Sequence, residues 1–336
     1  MDRAQEELQF VGFFGILKQS FKIITKWKTI FTQISLVLIL PLSFIYLAHM
    51  HISQILFSKI SNNQTTLTDE TPVGTPGYSK LSHQVSSQWA AFFLFKVAYF
   101  TIFVILFLLS TSAVVYTIAC IYTAKEITFK KVMSVVPRVW KRLMITFLWN
   151  YAMVFVYNVV AFGVLVLLTV FIGFAPVGIA LLLVFLILYL AGLVYITIVW
   201  NLASVVSVLE DIRGIKAMTK SKALIKGKMG VAIAIIVLLT IGFVGTAFLY
   251  ESIVVVGVVR GVAIRIGVGI ICFVMLFLVI LIGLVLQTVL YFVCKSYHHE
   301  NIDKVSLSDH LEAYLGHYVS LNAATARDVQ LEQLRV

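Results

Sequence analysis

Residues 143–209 read LMITFLWNYAMVFVYNVVAFGVLVLLTVFIGFAPVGIALLLVFLILYLAGLVYITIVWNLASVVSVL, and between Arg142 and Glu210 there is no Asp, Glu, Lys or Arg. A helix needs about 20 predominantly apolar residues to cross the ~30 Å hydrocarbon core of a bilayer. This stretch is far too long for one crossing. It also carries its own turn, Gly173-Phe174-Ala175-Pro176-Val177-Gly178, because Gly and Pro punctuate helices. The sequence therefore predicts a tight hairpin of two transmembrane helices. Its apolar residues are continuous rather than alternating, which excludes barrel strands. Lipid admits nothing else, since every backbone polar group must be satisfied within the segment.

The same pattern extends outward. Residues 97–124 and 266–294 are also free of charge, and over the 336 residues 61% are hydrophobic and 12% charged. Mean hydropathy is +1.01. A water-soluble chain of this length would need far more charge to cover its surface. The expected fold is an all-α polytopic transmembrane helical bundle of about six spans, near 30–50, 90–122, 143–172, 175–208, 229–251 and 265–294. Residues 1–29 are expected to form a cytosolic interfacial helix and 295–336 a cytosolic tail. The longest runs should tilt or turn along the interface. The connection from His51 to Gln88 is rich in Ser, Thr, Asn, Gly and Pro and reads as a hydrated loop.

Sidedness follows from Lys and Arg alone. Of the 26 such residues, all but Lys59, Lys80, Lys96, Arg260 and Arg265 fall on one side of this six-span scheme. Both termini are therefore expected in the cytosol, with Lys96 snorkelling outward from the start of the second span. The net charge of +11 comes from short clusters pinned between apolar runs, which argues for headgroups and topology and against nucleic acid. Residues 1–7 carry more acid than base, and no small-residue cleavage pattern follows the first apolar run, so that run is expected to remain as an anchor. Asn63-Gln64-Thr65 is a glycosylation sequon on the expected lumenal side, which makes Asn63 a candidate acceptor and the secretory pathway, endoplasmic reticulum or plasma membrane, the expected location.

Each cytosolic basic segment leads into a pair of spans. In the first, Leu17, Phe21, Ile24, Trp27 and Phe31 recur at helical spacing, and Lys18, Lys22 and Lys26 form a separate row. In the second, Val132, Val136, Val139 and Leu143 lie opposite Lys131, Arg138 and Arg142. The third repeats the lysine spacing of the first with Lys222, Lys226, Gly227 and Lys228. Three cytosolic interfacial amphipathic helices are expected, apolar face down and lysines toward anionic lipid. Lys18, Lys22, Lys26, Lys222, Lys226 and Lys228 are the candidate lipid contacts. Topology-setting charge without a ligand explains the same residues.

Other chemistry is sparse. Cys294, at the expected cytosolic boundary, is a candidate for palmitoylation. Cys294, His298, His299 and His310 match no metal-ligand spacing, so no metal and no cofactor is expected. No paired carboxylates and no nucleophile with a base emerge, so no catalytic residues are assigned and a non-enzymatic protein is expected. The near-absence of charge inside the spans, with Lys96 and Glu251 only at their ends, argues against an ion-coupled pump. Asn150, Asn158, Asn201 and Gln287 are polar residues within spans, where interhelical hydrogen bonding is the expected use; in a lipid or neutral-solute transporter or scramblase they would line a path. In the tail, Ser306-Leu307-Ser308-Asp309 resembles a capping box before a short helix that could engage other membrane proteins.

Ser207-Val208-Leu209-Glu210-Asp211-Ile212-Arg213-Gly214, followed by Ala217, Ser221, Leu224, Lys226 and Gly227, resembles the membrane domain found beside bacterial glycerophosphodiester phosphodiesterases. In that pattern a Glu ends one span, and a small basic helix carrying a Ser precedes the next. Tyr297-His298-His299-Glu300-Asn301 and Ser308-Asp309-His310-Leu311-Glu312 are similar to an uncharacterised plant family of six-span membrane proteins. The resemblance implies a six-span fold and membrane placement. It implies no catalysis, because the phosphodiesterase domain has no counterpart in this chain. The expected function is to organise membrane lipids or partner proteins.

Overall fold

A computed structural model describes residues 9–70, 75–124, 127–173, 176–259 and 261–298. These are helical almost throughout, and no strand occurs among them. In chain order the helices are α1 (Phe13–Lys26), α2 (Lys28–Ile34), α3 (Leu40–Thr65), α4 (Pro76–Tyr122), α5 (Phe129–Phe171), α6 (Pro176–Leu209), α7 (Ile215–Leu224), α8 (Met229–Leu249) and α9 (Val262–Tyr297). Wider π-type turns join α2 to α3 over Ser35–Ile39 and extend α3 and α8 to Glu70 and Val255. Six helical stretches are long and apolar enough to cross a membrane: Lys28–Asp69, Pro76–Tyr122, Phe129–Phe171, Pro176–Leu209, Met229–Val255 and Val262–Tyr297. The chain is an integral membrane protein.

Several boundaries differ from expectation. The supposed loop over 51–88 is mostly helix, because α3 runs to Thr65 and α4 begins at Pro76. Side-chain packing overrides the loop-like composition there. Phe57 meets Trp89 edge-on, and the amide nitrogen of Asn63 donates to Gln88 Oε1 at 3.0 Å. At 1.5 Å per residue α4 is about 70 Å long, more than twice the hydrocarbon thickness. The second basic segment is not a helix of its own but the first turns of α5, which continues through Pro137 to Phe171. Residues 13–26 and 215–224 do form separate helices, the first ended by a break at Trp27 (φ −110°, ψ 34°). The tail beyond His298, with its capping-box motif and proposed partner helix, lies outside the described residues.

The chain divides into two compact units. One comprises Met1–Phe31, Thr111–Ile236 and Leu284–Val336, and the other Thr32–Ser110 and Val237–Gly283. In the first, Ile16 and Ile23 of α1, Val132, Val136, Val139 and Leu143 of α5, Ala217 and Leu224 of α7 and Tyr291 and Phe292 of α9 are buried. By contrast, none of the most apolar window of α5, and 6% of that of α6, is buried. Their outward Leu, Val and Phe side chains suit a lipid solvent, where apolar exposure costs nothing. The hairpin itself is closed by Tyr157 donating to the Tyr189 carbonyl at 2.9 Å and Tyr189 donating to Asn158 Oδ1 at 2.8 Å. The Tyr157 hydroxyl fills the space over Gly192, where a Cβ would meet it at 2.2 Å.

In the second unit the α3–α4 pair carries a polar cluster. Lys96 Nζ lies 2.9 Å from His49 Nε2 and donates to Ser53 Oγ at 3.0 Å. The His49 ring stacks on Tyr99 with centroids 3.6 Å apart. Lys96 is therefore engaged between two helices rather than reaching outward as expected.

Gly214 sets the entry to α7. Its φ of 63° and ψ of −135° is a conformation that side chains tolerate poorly. A Cβ there would also meet Trp149 Cδ1 at 2.9 Å. We expect Gly214→Ala to cost about 1–3 kcal/mol, read as a lower thermal midpoint in detergent. Gly230→Ala, in α8 with nothing within 4 Å of the added carbon, should show no loss.

Candidate functional site

The sequence ends α6 with Leu209 and follows it at once with two acids, Glu210 and Asp211, ahead of a run of lysine and arginine. The structure gathers these charges where α5, α6, α7 and α9 meet. Glu210 Oε1 accepts from the Tyr291 hydroxyl at 2.7 Å and from Lys295 Nζ at 3.1 Å, while Oε2 pairs with Lys220 Nζ at 2.6 Å. Beside it Arg142 pairs with Asp211. The Glu210 side chain is only 13% exposed. Burial alone would raise its carboxyl. The Lys220 ammonium, the Tyr291 hydroxyl and the Lys295 ammonium together outweigh that and hold the group below its ordinary value.

Hydroxyls tie the same helices together a turn away. Thr146 Oγ1 lies 2.7 Å from Ser207 Oγ and accepts the Gly214 backbone N–H at 2.9 Å. Ser221, fully buried on α7, donates to the Val199 carbonyl of α6 at 2.7 Å. The end of α7 is held from α9. His298 Nε2 lies 3.0 Å from the carbonyl oxygens of both Leu224 and Lys226, which fits an imidazole N–H donating to the open end of a helix. Gly227, at φ 87°, leaves room for the Tyr297 ring, which a Cβ would meet at 2.3 Å. Helix α7 is thus a short basic helix tied to α6 through Ser221 and Lys220 and to the end of α9 through His298.

The clamped helices present the lysines unequally. Lys18, Lys22 and Lys26 on α1 and Lys222 and Lys226 at α7 are exposed. Lys228 is half-buried, with its ammonium 5.2 Å from the Tyr297 ring centroid, so a structural contact takes it away from the candidate lipid set. On α1 the expected apolar stripe is also shifted. Ile16, Ser20 and Ile23 face the protein, whereas Phe14 is 81% and Phe21 50% exposed. Three rows run along this helix: a core-facing row, an exposed apolar row with Phe14 and Phe21, and the lysine row beyond it.

Other sequence candidates fare differently. Cys294 is fully buried at 0% exposure, so its thiol is closed to an acyl donor, and palmitoylation there is not supported. Asn63 is half-buried on a helix with its amide nitrogen given to Gln88, so the folded hairpin does not offer it as a free acceptor for a glycan. The four amides proposed to line a path do not act as a set. Asn158 and Asn201 bond within their own helix or hairpin, whereas Asn150 Oδ1 and Gln287 Nε2 are buried with no hydrogen-bond partner. Among the described residues no three His, Cys, Asp or Glu side chains gather as metal ligands would. Sequence reasoning placed Glu210 at a helix end but missed its partners Tyr291 and Lys295. Their four-residue spacing on α9 is the one signal that they share a face.

Glu210→Gln should leave the part-buried Lys220 and Lys295 without their counter-charge and cost about 1–3 kcal/mol. The native carboxyl titrates below its unfolded value, so its stabilisation is present above the unfolded pKa and disappears as the pH falls through the native one. Thermal midpoints measured from neutral to pH 3 should therefore fall at the acid end in the parent protein. In Glu210→Gln they should start lower and lose that contribution to the acid slope.

No curated protein and no solved structure matches the chain. A family model does match, over residues 1–334, and by that match the chain belongs to the family described as Domain of unknown function (DUF8558).

Proposed function

We propose that this protein is a non-enzymatic organiser of anionic membrane lipid, and of partners drawn to it, on the cytosolic face of a secretory-pathway membrane. The observation that carries the reading is the three-row surface of α1. A helix that already buries Ile16, Ser20 and Ile23 still exposes Phe14 and Phe21 beside Lys18, Lys22 and Lys26. Exposed phenylalanines next to a lysine row are what a helix seated at headgroup level requires, with rings in the acyl boundary and ammonium groups among phosphates. Lys222 and Lys226 on the clamped α7 add charge of the same sign. In this reading both termini are cytosolic, as the distribution of Lys and Arg supports, and the membrane is that of the endoplasmic reticulum or the cell surface.

Clamping matters to the mechanism. A basic segment on a flexible loop must lose conformational freedom when it gathers lipid. One held by Glu210, Ser221 and His298 has lost that freedom in folding and presents its charges pre-arranged. The second reading, a transporter or scramblase for lipid or neutral solute, draws on Asn150 and Gln287, whose buried amide atoms lack partners. Such atoms are costly unless a passing or bound polar group uses them.

Each lysine near an anionic surface contributes about 1 kcal/mol. The triple change Lys18→Gln, Lys22→Gln and Lys26→Gln should therefore weaken anionic-lipid enrichment by roughly two orders of magnitude, with a shallower salt dependence because Lys222 and Lys226 remain. Lipidomics of protein purified from mixed phosphatidylserine and phosphatidylcholine membranes reads this directly. An unchanged lipid profile would remove the proposal. Rapid exchange of labelled lipid between leaflets in reconstituted vesicles, lost in Gln287→Leu, would favour the second reading instead.

A further inference from the structure

The second unit contains a cavity of about 530 Å³, within the ~300–1,000 Å³ range of ligand sites. Phe44, Leu47, Ala48 and His51 of α3 line one wall, Tyr250 and Val254 lie at the end of α8, and Val262, Arg265, Ile266, Gly269, Ile270 and Phe273 belong to α9. Its polar groups are gathered rather than scattered. Helix α3 runs toward its polar end from Phe44 to His51, about 10 Å along the axis. Helix α9 runs the other way, from Arg265 to Phe273, about 12 Å. Spans that run in opposite directions across one bilayer put His51 and Arg265 at the same end, and Phe44, Ile270 and Phe273 deeper.

Two details mark the polar end as built to receive something. His51 Nδ1 is buried and has no hydrogen-bond partner. Arg265 is fixed by a hydrogen bond from its guanidinium to the Val254 carbonyl and by packing over Gly257, whose φ of 76° allows the approach. A guanidinium carries five N–H donors, and the Val254 carbonyl accepts from one nitrogen. A positioned cation and an unsatisfied imidazole nitrogen therefore stand at the mouth of an apolar slot whose walls reach down toward the membrane interior.

We propose that this cavity binds one anionic phospholipid, with its phosphate against Arg265 and His51 and an acyl chain lying along Phe44, Ile270 and Phe273. A phospholipid is favoured because the ligand must present an anion and a hydrocarbon chain along the bilayer normal, and the surrounding bilayer supplies both at high concentration. The site differs from the lysine surface of α1 and α7: it holds a single molecule, uses one charge in an apolar setting, and is correspondingly less sensitive to salt.

The test uses the full-length protein in phosphatidylcholine nanodiscs containing either phosphatidylglycerol or phosphatidylcholine with a photoactivatable group on the acyl chain. Crosslinked peptides are mapped after illumination. Labelling of Phe44, Ile270 or Phe273 by the phosphatidylglycerol probe, about tenfold above the phosphatidylcholine probe, is expected. Gly269→Phe should abolish it, since the added carbon meets only Val254 Cγ2 at 3.8 Å and the ring extends into the slot. Arg265→Gln should remove the headgroup preference. His51→Leu should do so in part, and it leaves the Arg265 contact to the turn intact should Arg265→Gln destabilise the unit. Equal labelling by both probes, or full labelling in a folded Gly269→Phe variant, would overturn the proposal. Displacement of the probe by oleate but not by unlabelled phosphatidylglycerol would overturn it in favour of a free fatty acid. The Lys18, Lys22 and Lys26 variant should label like the parent, which separates failure of this site from failure of the lysine surface.

Discussion

Hydrocarbon around the spans removes the usual reason for apolar side chains to bury themselves, and this one constraint shapes the rest of the molecule. Lipid tails are as apolar as leucine, so helices within the bilayer gain no hydrophobic energy by association. The exposed Leu, Val and Phe side chains of α5 and α6 follow from it directly. What holds such helices together must be close packing and polar contacts that have no alternative partner in lipid. The Tyr157–Tyr189–Asn158 clasp over Gly192 is one example, and the Lys96–His49–Ser53 cluster is another.

The first unit also has a buried core of its own, with Val132, Val136, Leu143, Leu224, Tyr291 and Phe292. Buried charge becomes affordable in the same place, because Glu210 receives two ammonium groups and a phenol in return for its lost hydration. Such a group adds little net stability, but removing it strands the ammonium groups gathered from α7 and α9. The result is a basic helix held from α6 and α9 that leaves Lys222 and Lys226 exposed.

The junction after α6 is marked by a Glu at the helix end and a Ser in the following basic helix. Each has a physical reason in this chain. Glu210 neutralises the lysines that must enter the junction, and Ser221 lets α7 lie against α6 by satisfying the Val199 carbonyl. Any chain that packs a basic helix against the ends of its neighbours faces the same two problems.

Residues 143–209, 97–124 and 266–294 by themselves determined the helical class and four of the spans, and the apolar runs near 30–50 and 229–251 brought the number to six, because apolar length is a local property that the solvent reads without help from the fold. Helix ends were less legible. The 51–88 connection looked like a loop until Phe57 and Trp89, and Asn63 and Gln88, paired across it, and Pro137 proved compatible with an unbroken α5. Only the tertiary structure decided which lysines stay free and which are spent. Lys228 goes to Tyr297, Lys220 and Lys295 go to Glu210, and Cys294 is sealed by its neighbours. It alone also brought His51 and Arg265, far apart in the chain, to one cavity. Those outcomes depend on side chains from distant helices arriving at the same point, and no local pattern of residues carries that information.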